Sequence, residues 1–101
     1  MLFRSKMHAW IQENPALAEK IHPNYVYTRA DVVYAMRHEL ADHLEDVLAR
    51  RTRLLLLDAR IAAESAPKVA AWMAAESGRD AHWQAEQVKT FQKLAEQYLI
   101  H

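Results

Sequence analysis

Glycine is almost absent from this chain: Gly78 is the only one among 101 residues, and proline occurs three times. Because both residues interrupt helices, their scarcity favours a chain built from long helical segments. Phosphate-binding turns need several glycines, so that the backbone can approach the anion closely. The sequence therefore predicts an all-α protein that cannot hold a nucleotide by a glycine-rich turn or a Walker loop.

The charge balance argues against a nucleic-acid binder, since the 13 Lys and Arg residues are matched by 13 Asp and Glu residues. There is no cysteine, which excludes disulfides and thiolate metal sites. The run of four leucines at Leu54–Leu57 and the longest apolar run, the seven residues Val69–Ala75, are both far below the roughly 20 residues that cross a membrane. These features predict one domain over residues 1–101, in the cytoplasm and without membrane insertion.

Local capping signals mark helix boundaries in the N-terminal half. Ser5 is placed to cap a helix over residues 6–13, and the pair Asn14 and Pro15 ends that helix and begins another turn. A turn is predicted over residues 22–24. Thr28 and Asp31, three residues apart, form a variant capping box. The following pattern permits one helix over residues 29–51, or two helices separated by a bend at residues 41–43.

The C-terminal half predicts three further helices. Thr52 is placed to cap a helix over residues 53–64, and Pro67 lies just inside the start of the next one. Gly78 is placed as a C-terminal stop, and Asp80 caps a last helix that runs to about residue 99. Five or six amphipathic helices predict a small orthogonal bundle, because each apolar stripe must be buried against the others.

Two clusters of charged residues are candidate sites. His38, Asp42 and His43 suggest a metal site, but the two histidines diverge by about 140° on a helix, which favours a solvated or salt-bridged face. Arg50, Arg51 and Arg53 form the densest basic cluster. These arginines suit either the last turn of a helix, with Asp46 pairing to Arg50, or the binding of a carboxylate or phosphate on a partner.

Several segments together resemble one known family. They are HP at 22–23, YT at 27–28, DVVYAMRHE at 31–39, LEDVLARRTRL at 44–54 and LDA at 57–59. The similarity continues through APKV at 66–69 and MAAE at 73–76, and it covers most of residues 21–94. The set is similar to the C-terminal domain of FAD-dependent glycerol-3-phosphate dehydrogenases and glycerophosphate oxidases. Because a polar break is common before the LEDVL segment in this family, the resemblance favours the bend at 41–43.

The resemblance implies a non-catalytic accessory domain of an enzyme that oxidises sn-glycerol 3-phosphate to dihydroxyacetone phosphate. FAD and substrate belong to a large N-terminal body that these residues do not include, so the resemblance assigns no catalytic, cofactor or metal residue here. The expected partner is that body or a second subunit, in an enzyme at the inner face of the cytoplasmic membrane. The structural or interdomain candidates are Arg37, His38, Glu39, Asp46, Arg50, Arg51 and Arg53.

An alternative of another class stays open at this point. The chain can be read as an independent helical module that binds a protein or a nucleic acid through Arg50, Arg51 and Arg53. Excision of a domain and truncation of a gene product would both give such a chain, and the sequence does not distinguish them.

Overall fold

A computed structural model describes the backbone of residues 2–99 and the side chains of residues 7–98. Within that range the chain forms five α-helices, a 3₁₀ turn at Pro15–Ala18 and a π-helical segment at Asp46–Arg51. The helices are α1 (Leu2–Glu13), α2 (Arg29–His38), α3 (Leu54–Leu57), α4 (Ala59–Ser77) and α5 (Ala81–Leu99). The prediction of a small all-α bundle is confirmed.

The first helix begins earlier than the sequence pattern indicates. Since α1 already includes Ser5, the prediction that this serine caps a helix at residue 6 is wrong. Nothing in residues 2–5 breaks a helix, so the helix continues through them. The predicted boundary at Asn14 is confirmed, because its Oδ1 accepts a hydrogen bond from the Ala16 amide at 3.2 Å as the 3₁₀ turn begins.

The capping signal at Thr28 sets the start of α2. The Thr28 amide donates to Oδ2 of Asp31 at 2.9 Å, and the Thr28 hydroxyl lies 3.3 Å from the same oxygen. Before it, the turn over residues 22–24 is confirmed by the hydrogen bond from the Tyr25 amide to the His22 carbonyl. The Ile21 amide then donates to the carbonyl of Tyr27 at 2.9 Å, which brings both sides of the turn together.

The bend after α2 is confirmed, and it occupies residues 39–43. Leu40 has a φ of +59°, in the left-handed region that leucine rarely adopts, and its side chain is 89% exposed. Leu40 therefore lies outside the core. The chain resumes a helical path at Leu44, whose amide donates to Oε1 of Gln87 in α5 at 3.0 Å.

The boundaries around residue 58 differ from the sequence prediction. The expected helix over residues 53–64 is interrupted at Asp58, which accepts from the Ile61 amide at 3.2 Å and caps α4. Pro67 does not begin a helix, because it lies inside α4. Proline has no amide hydrogen, so the Ala63 carbonyl loses its usual partner. That carbonyl instead accepts from the Gln92 side chain at 3.3 Å, which lets α4 continue.

The C-terminal helices form the largest part of the bundle. Gly78 ends α4 with a φ of +77°, and its amide donates to the Ala74 carbonyl. Asp80 caps α5 through the Trp83 amide at 2.9 Å, so both predicted boundaries are confirmed. The buried residues of the main core are Ile21, Val32, Ala35, Leu44, Val47, Leu48, Leu54, Leu55, Ala62, Ala66, Val69, Ala70, Trp72, Met73, Phe91 and Ala95.

Candidate functional site

Arg51 lies at the junction of the π-helical segment with both ends of α2. Its Nη2 donates to Oδ1 of Asp31 at 3.2 Å, and its Nη1 donates to Oε2 of Glu39 at 3.2 Å. The guanidinium also lies 5.3 Å from the centre of the Tyr34 ring. Only 17% of the Arg51 side chain is exposed. Two predicted site residues, Arg51 and Glu39, are thus joined in a contact within the fold.

Asp46 is a cap for the chain as it leaves the bend. Its Oδ2 accepts hydrogen bonds from the amides of Asp42 at 2.9 Å and His43 at 3.0 Å. Partial burial alone would raise the pKa of Asp46, but these two bonds, aided by Arg50 and His43, outweigh it and lower that pKa. The charged form of the carboxylate is therefore favoured, and it holds the backbone of Asp42 and His43 in place.

Arg37 and His38 connect α2 with its neighbours. Arg37 donates through Nε to Oε1 of Glu76 in α4 at 2.6 Å and lies over the ring of Trp10 in α1 at 5.0 Å. The His38 ring stacks on Trp10 at 6.0 Å and lies 4.8 Å from the Tyr34 ring. These contacts hold three helices together, which is the structural role that the sequence left open for both residues.

Arg50 and Arg53 are exposed and make few contacts with the rest of the fold. The Arg50 side chain is 77% exposed, and its Nη1 lies 3.7 Å from Oδ1 of Asp46. Arg53 is exposed, has a φ of +59°, and makes no ion pair with any side chain from residues 7–98. The structure thus divides the predicted basic cluster, with one arginine used inside the fold and two left for the surface.

Sequence analysis missed the leucines beside Arg53. Leu54 and Leu55 are buried, but Leu56 is 55% exposed and Leu57 is 61% exposed. A run of four leucines indicates only that more than one side of a helix is apolar. Which two reach the core is set by the break at Asp58 and by packing on α4, and neither is visible in the leucine run itself.

Two clefts open beside the charged residues. One, of about 280 Å³, is lined by His43, Leu44, Glu45, Asp46, Arg50, Gln87, Thr90, Phe91 and Leu94. The other, of about 340 Å³, is lined by Glu39, Leu40, Ala41, Asp46, Arg50 and Arg51. Both contain charges of the two signs that already pair with one another. Among the side chains that the structure describes, no three His, Cys, Asp or Glu groups are arranged to hold a metal ion.

The residues present do not fit a flavin dinucleotide held by a glycine-rich turn. Gly78 lies between the C-terminal end of α4, where the helix dipole is negative, and Asp80, whose carboxylate caps α5; both repel a phosphate. A pyrophosphate instead requires the N-terminal end of a helix, approached by a turn with several glycines. No helix within residues 2–99 has the length and apolar character needed to cross a membrane.

Comparison with known proteins identifies relatives of one kind. The family model for the C-terminal domain of alpha-glycerophosphate oxidase matches residues 5–88. A probable mitochondrial glycerol-3-phosphate dehydrogenase of Caenorhabditis elegans is 38% identical over 80 residues, which are 76% of this chain and 11% of that protein. The mitochondrial enzyme of Macaca fascicularis is 32% identical over 80 residues, 79% of this chain and 11% of that protein.

A mitochondrial glycerol-3-phosphate dehydrogenase of Arabidopsis thaliana is 27% identical over 90 residues, 89% of this chain and 14% of that protein. The chain thus spans between 11% and 14% of the length of these curated relatives. No solved structure matches. The family match begins nearer the N-terminus than the resemblance noted from the motifs, and it includes most of α1. The chain belongs to the family of the C-terminal domain of alpha-glycerophosphate oxidase and of the related glycerol-3-phosphate dehydrogenases.

Proposed function

We propose that this chain is a non-catalytic accessory domain that packs against the flavin-binding body of a glycerol-3-phosphate dehydrogenase. The parent enzyme in this proposal oxidises sn-glycerol 3-phosphate to dihydroxyacetone phosphate, with FAD and substrate held by the body. The family match over residues 5–88 supports the parent enzyme. The proposal also includes a location for the parent enzyme: the cytoplasm, at the inner face of the cytoplasmic membrane.

One observation carries the non-catalytic role: two arginines of the family motifs, Arg37 and Arg51, are paired with carboxylates within the fold. Arg51 is bonded to Asp31 and Glu39, while Arg37 is bonded to Glu76. A catalytic acid, base or anion-binding arginine must reach the substrate with a free hydrogen-bonding position. These side chains instead use their positions to join α2 to the rest of the bundle.

The same observation weakens the alternative of a nucleic-acid module. Arg51 is 17% exposed and paired with carboxylates, so it is poorly placed to neutralise a phosphate. Arg50 and Arg53 alone make a small basic patch. A protein surface that combines carboxylates with apolar groups fits them better, because exposed leucines lie beside them.

The test uses this chain and the body of the same organism's glycerol-3-phosphate dehydrogenase, prepared without its own matching segment. Absorbance of bound flavin shows that the body is folded. We expect calorimetry to show binding at a 1:1 ratio, and we expect the chain alone to show neither flavin absorbance nor turnover of glycerol 3-phosphate. Turnover by the chain alone, or no binding to a flavin-loaded body, would refute the proposal.

A further inference from the structure

The short helix α3 has two different sides. The amides of Leu56 and Leu57 both donate to the carbonyl of Arg53, at 3.1 and 3.0 Å, so residues 53–57 form one helical turn. Leu54 is fully buried and Leu55 is 2% exposed on the core side. On the other side Leu56 and Leu57 are more than half exposed. Residues three and four apart lie on the same side of a turn, which places Arg53 beside both leucines.

Unpaired cations flank the two exposed leucines. Arg53 precedes them, and Arg60 follows in the first turn of α4. Both arginines are exposed, and neither makes an ion pair within residues 7–98. Four other arginines, Arg37, Arg50, Arg51 and Arg79, each have a carboxylate partner. The α3 surface, defined as Arg53, Leu56, Leu57 and Arg60, thus combines apolar area with uncompensated positive charge.

The charge of the α3 surface indicates what covers it. In a symmetric dimer the same patch meets itself, which would place the arginines of one copy against those of the other. A complementary partner therefore offers an apolar depression with aspartate or glutamate around it. The relatives carry this segment as only 11–14% of their length, and the family places it at the C-terminal end of a larger protein.

We infer that the α3 surface is the docking face of this domain, and that its occupant is an apolar patch edged by carboxylates on the flavin-binding body. This inference rests on the proposed function and adds to it the side of the bundle that meets the body. The exposed leucines supply the apolar area that becomes buried on binding. The arginines select the partner and fix its orientation.

The test compares variants of the chain in calorimetric titrations against the flavin-loaded body. We expect the double substitution Leu56→Ser and Leu57→Ser to raise Kd at least tenfold, because two leucines lose their burial. Arg53→Glu is expected to raise Kd as well, with an effect that shrinks at high salt. Controls are Val26→Ser, an apolar residue 78% exposed outside α3, and Lys89→Glu, an exposed cation on α5; both are expected to leave Kd within twofold.

Circular dichroism at 222 nm with urea unfolding checks that each variant keeps its fold, which exposed positions should allow. If the wild-type chain binds the body and the double variant binds equally well, the α3 surface is wrong while the proposed function stands. If the wild-type chain does not bind, the proposed function itself fails. The wild-type chain is also tested for self-association and for binding to phosphatidylglycerol vesicles. If the double variant loses either of these but still binds the body, the α3 surface has another occupant and the inference is overturned.

Discussion

Arg51 joins three parts of the chain through one planar group. Its two terminal nitrogens bond a carboxylate at the start of α2 and another just after its end, while its carbon lies over Tyr34 between them. A guanidinium can do this because its donors are fixed in a plane and its faces are free to stack. Asp31 contributes twice, since it also accepts from the Thr28 amide.

Arg51→Ala is expected to lower the free energy of unfolding by about 2–3 kcal/mol, because it leaves two carboxylates without their partner in a partly buried place. Urea unfolding followed at 222 nm measures this change, and the helical signal before unfolding should be retained. Arg50→Ala is the matched control: that side chain is 77% exposed, and its loss should cost no more than about 0.5 kcal/mol. Equal unfolding midpoints for the two variants would contradict the role given to Arg51.

Asp46 predicts a specific response to acid. Since its pKa is lowered in the fold from the ordinary value of 3.8, its stabilising contribution is present above that value and is lost as the pH falls through the lowered pKa. Asp46→Asn keeps an acceptor for the two amides but removes the charge. The variant should be less stable than wild type near neutral pH, and the difference should shrink as the pH falls below 3.8 and through the lowered pKa. A difference that does not change with pH would contradict this assignment.

At the scale of helices, Pro67 and Leu40 both break local rules. Pro67 lies inside α4, where its missing amide leaves the Ala63 carbonyl to the Gln92 side chain. Leu40 holds a left-handed backbone conformation with its side chain 89% exposed. In each case the surrounding bundle tolerates a residue that an isolated segment would reject.

Pro67→Ala is expected to raise the free energy of unfolding by about 1–3 kcal/mol, because α4 regains an amide for the Ala63 carbonyl and loses a steric clash. Pro15→Ala is the matched control. That proline opens the 3₁₀ turn, where its fixed φ is suitable, so its loss should lower stability by up to about 1 kcal/mol. Thermal unfolding compares them, and a lower melting temperature for Pro67→Ala would refute the expected gain.

Leu40→Gly should stabilise the protein by about 1 kcal/mol, because glycine adopts a φ of +59° without strain. The reverse substitution, Gly78→Ala, should destabilise it by a similar amount. A side chain at Gly78 would enter open space beyond the adjoining backbone, so the cost there comes from the φ of +77°. Urea unfolding measures both free energies of unfolding. If the two substitutions change this free energy in the same direction, the contrast between a strained leucine and an unstrained glycine is wrong.

Helix ends with a local hydrogen-bonding signal were predictable from sequence. Asn14, Thr28, Gly78 and Asp80 each bond within a few residues, and each marks the boundary expected. The break at Asp58 was missed although its carboxylate accepts from the Ile61 amide, a local signal of the same kind. The π-helical segment was not found because its support comes from packing around it. Thr52, for example, is fully buried and donates its hydroxyl to the Val47 carbonyl at 3.0 Å.

The candidate residues also divide into those that the sequence indicates and those whose role depends on packing. Sequence singled out Arg37, Glu39, Asp46 and Arg51 as structural or interdomain groups, and the structure gives each a partner within the fold. It did not single out Leu56 and Leu57, because exposure of an apolar residue depends on the whole packing arrangement. A leucine run looks the same in sequence whether two or four of its members reach the core.

At the scale of the whole molecule, the core is built chiefly from α4 and the elements packed against it, and the charged contacts hold α2 to that core. A bundle organised in this way can supply a rigid surface to a larger protein without contributing chemistry. Under the proposed function, its effect on the parent enzyme should appear as stability of the body, since a partner that binds only the folded state raises its stability.

The half-life of glycerol-3-phosphate dehydrogenase activity during heating of the body, with and without this chain, measures that effect most directly. We predict that saturating amounts of the chain lengthen the half-life, and that the Leu56→Ser and Leu57→Ser double variant at the same concentration lengthens it much less. An identical half-life with and without the wild-type chain, at concentrations where calorimetry shows the body saturated, would contradict the accessory role.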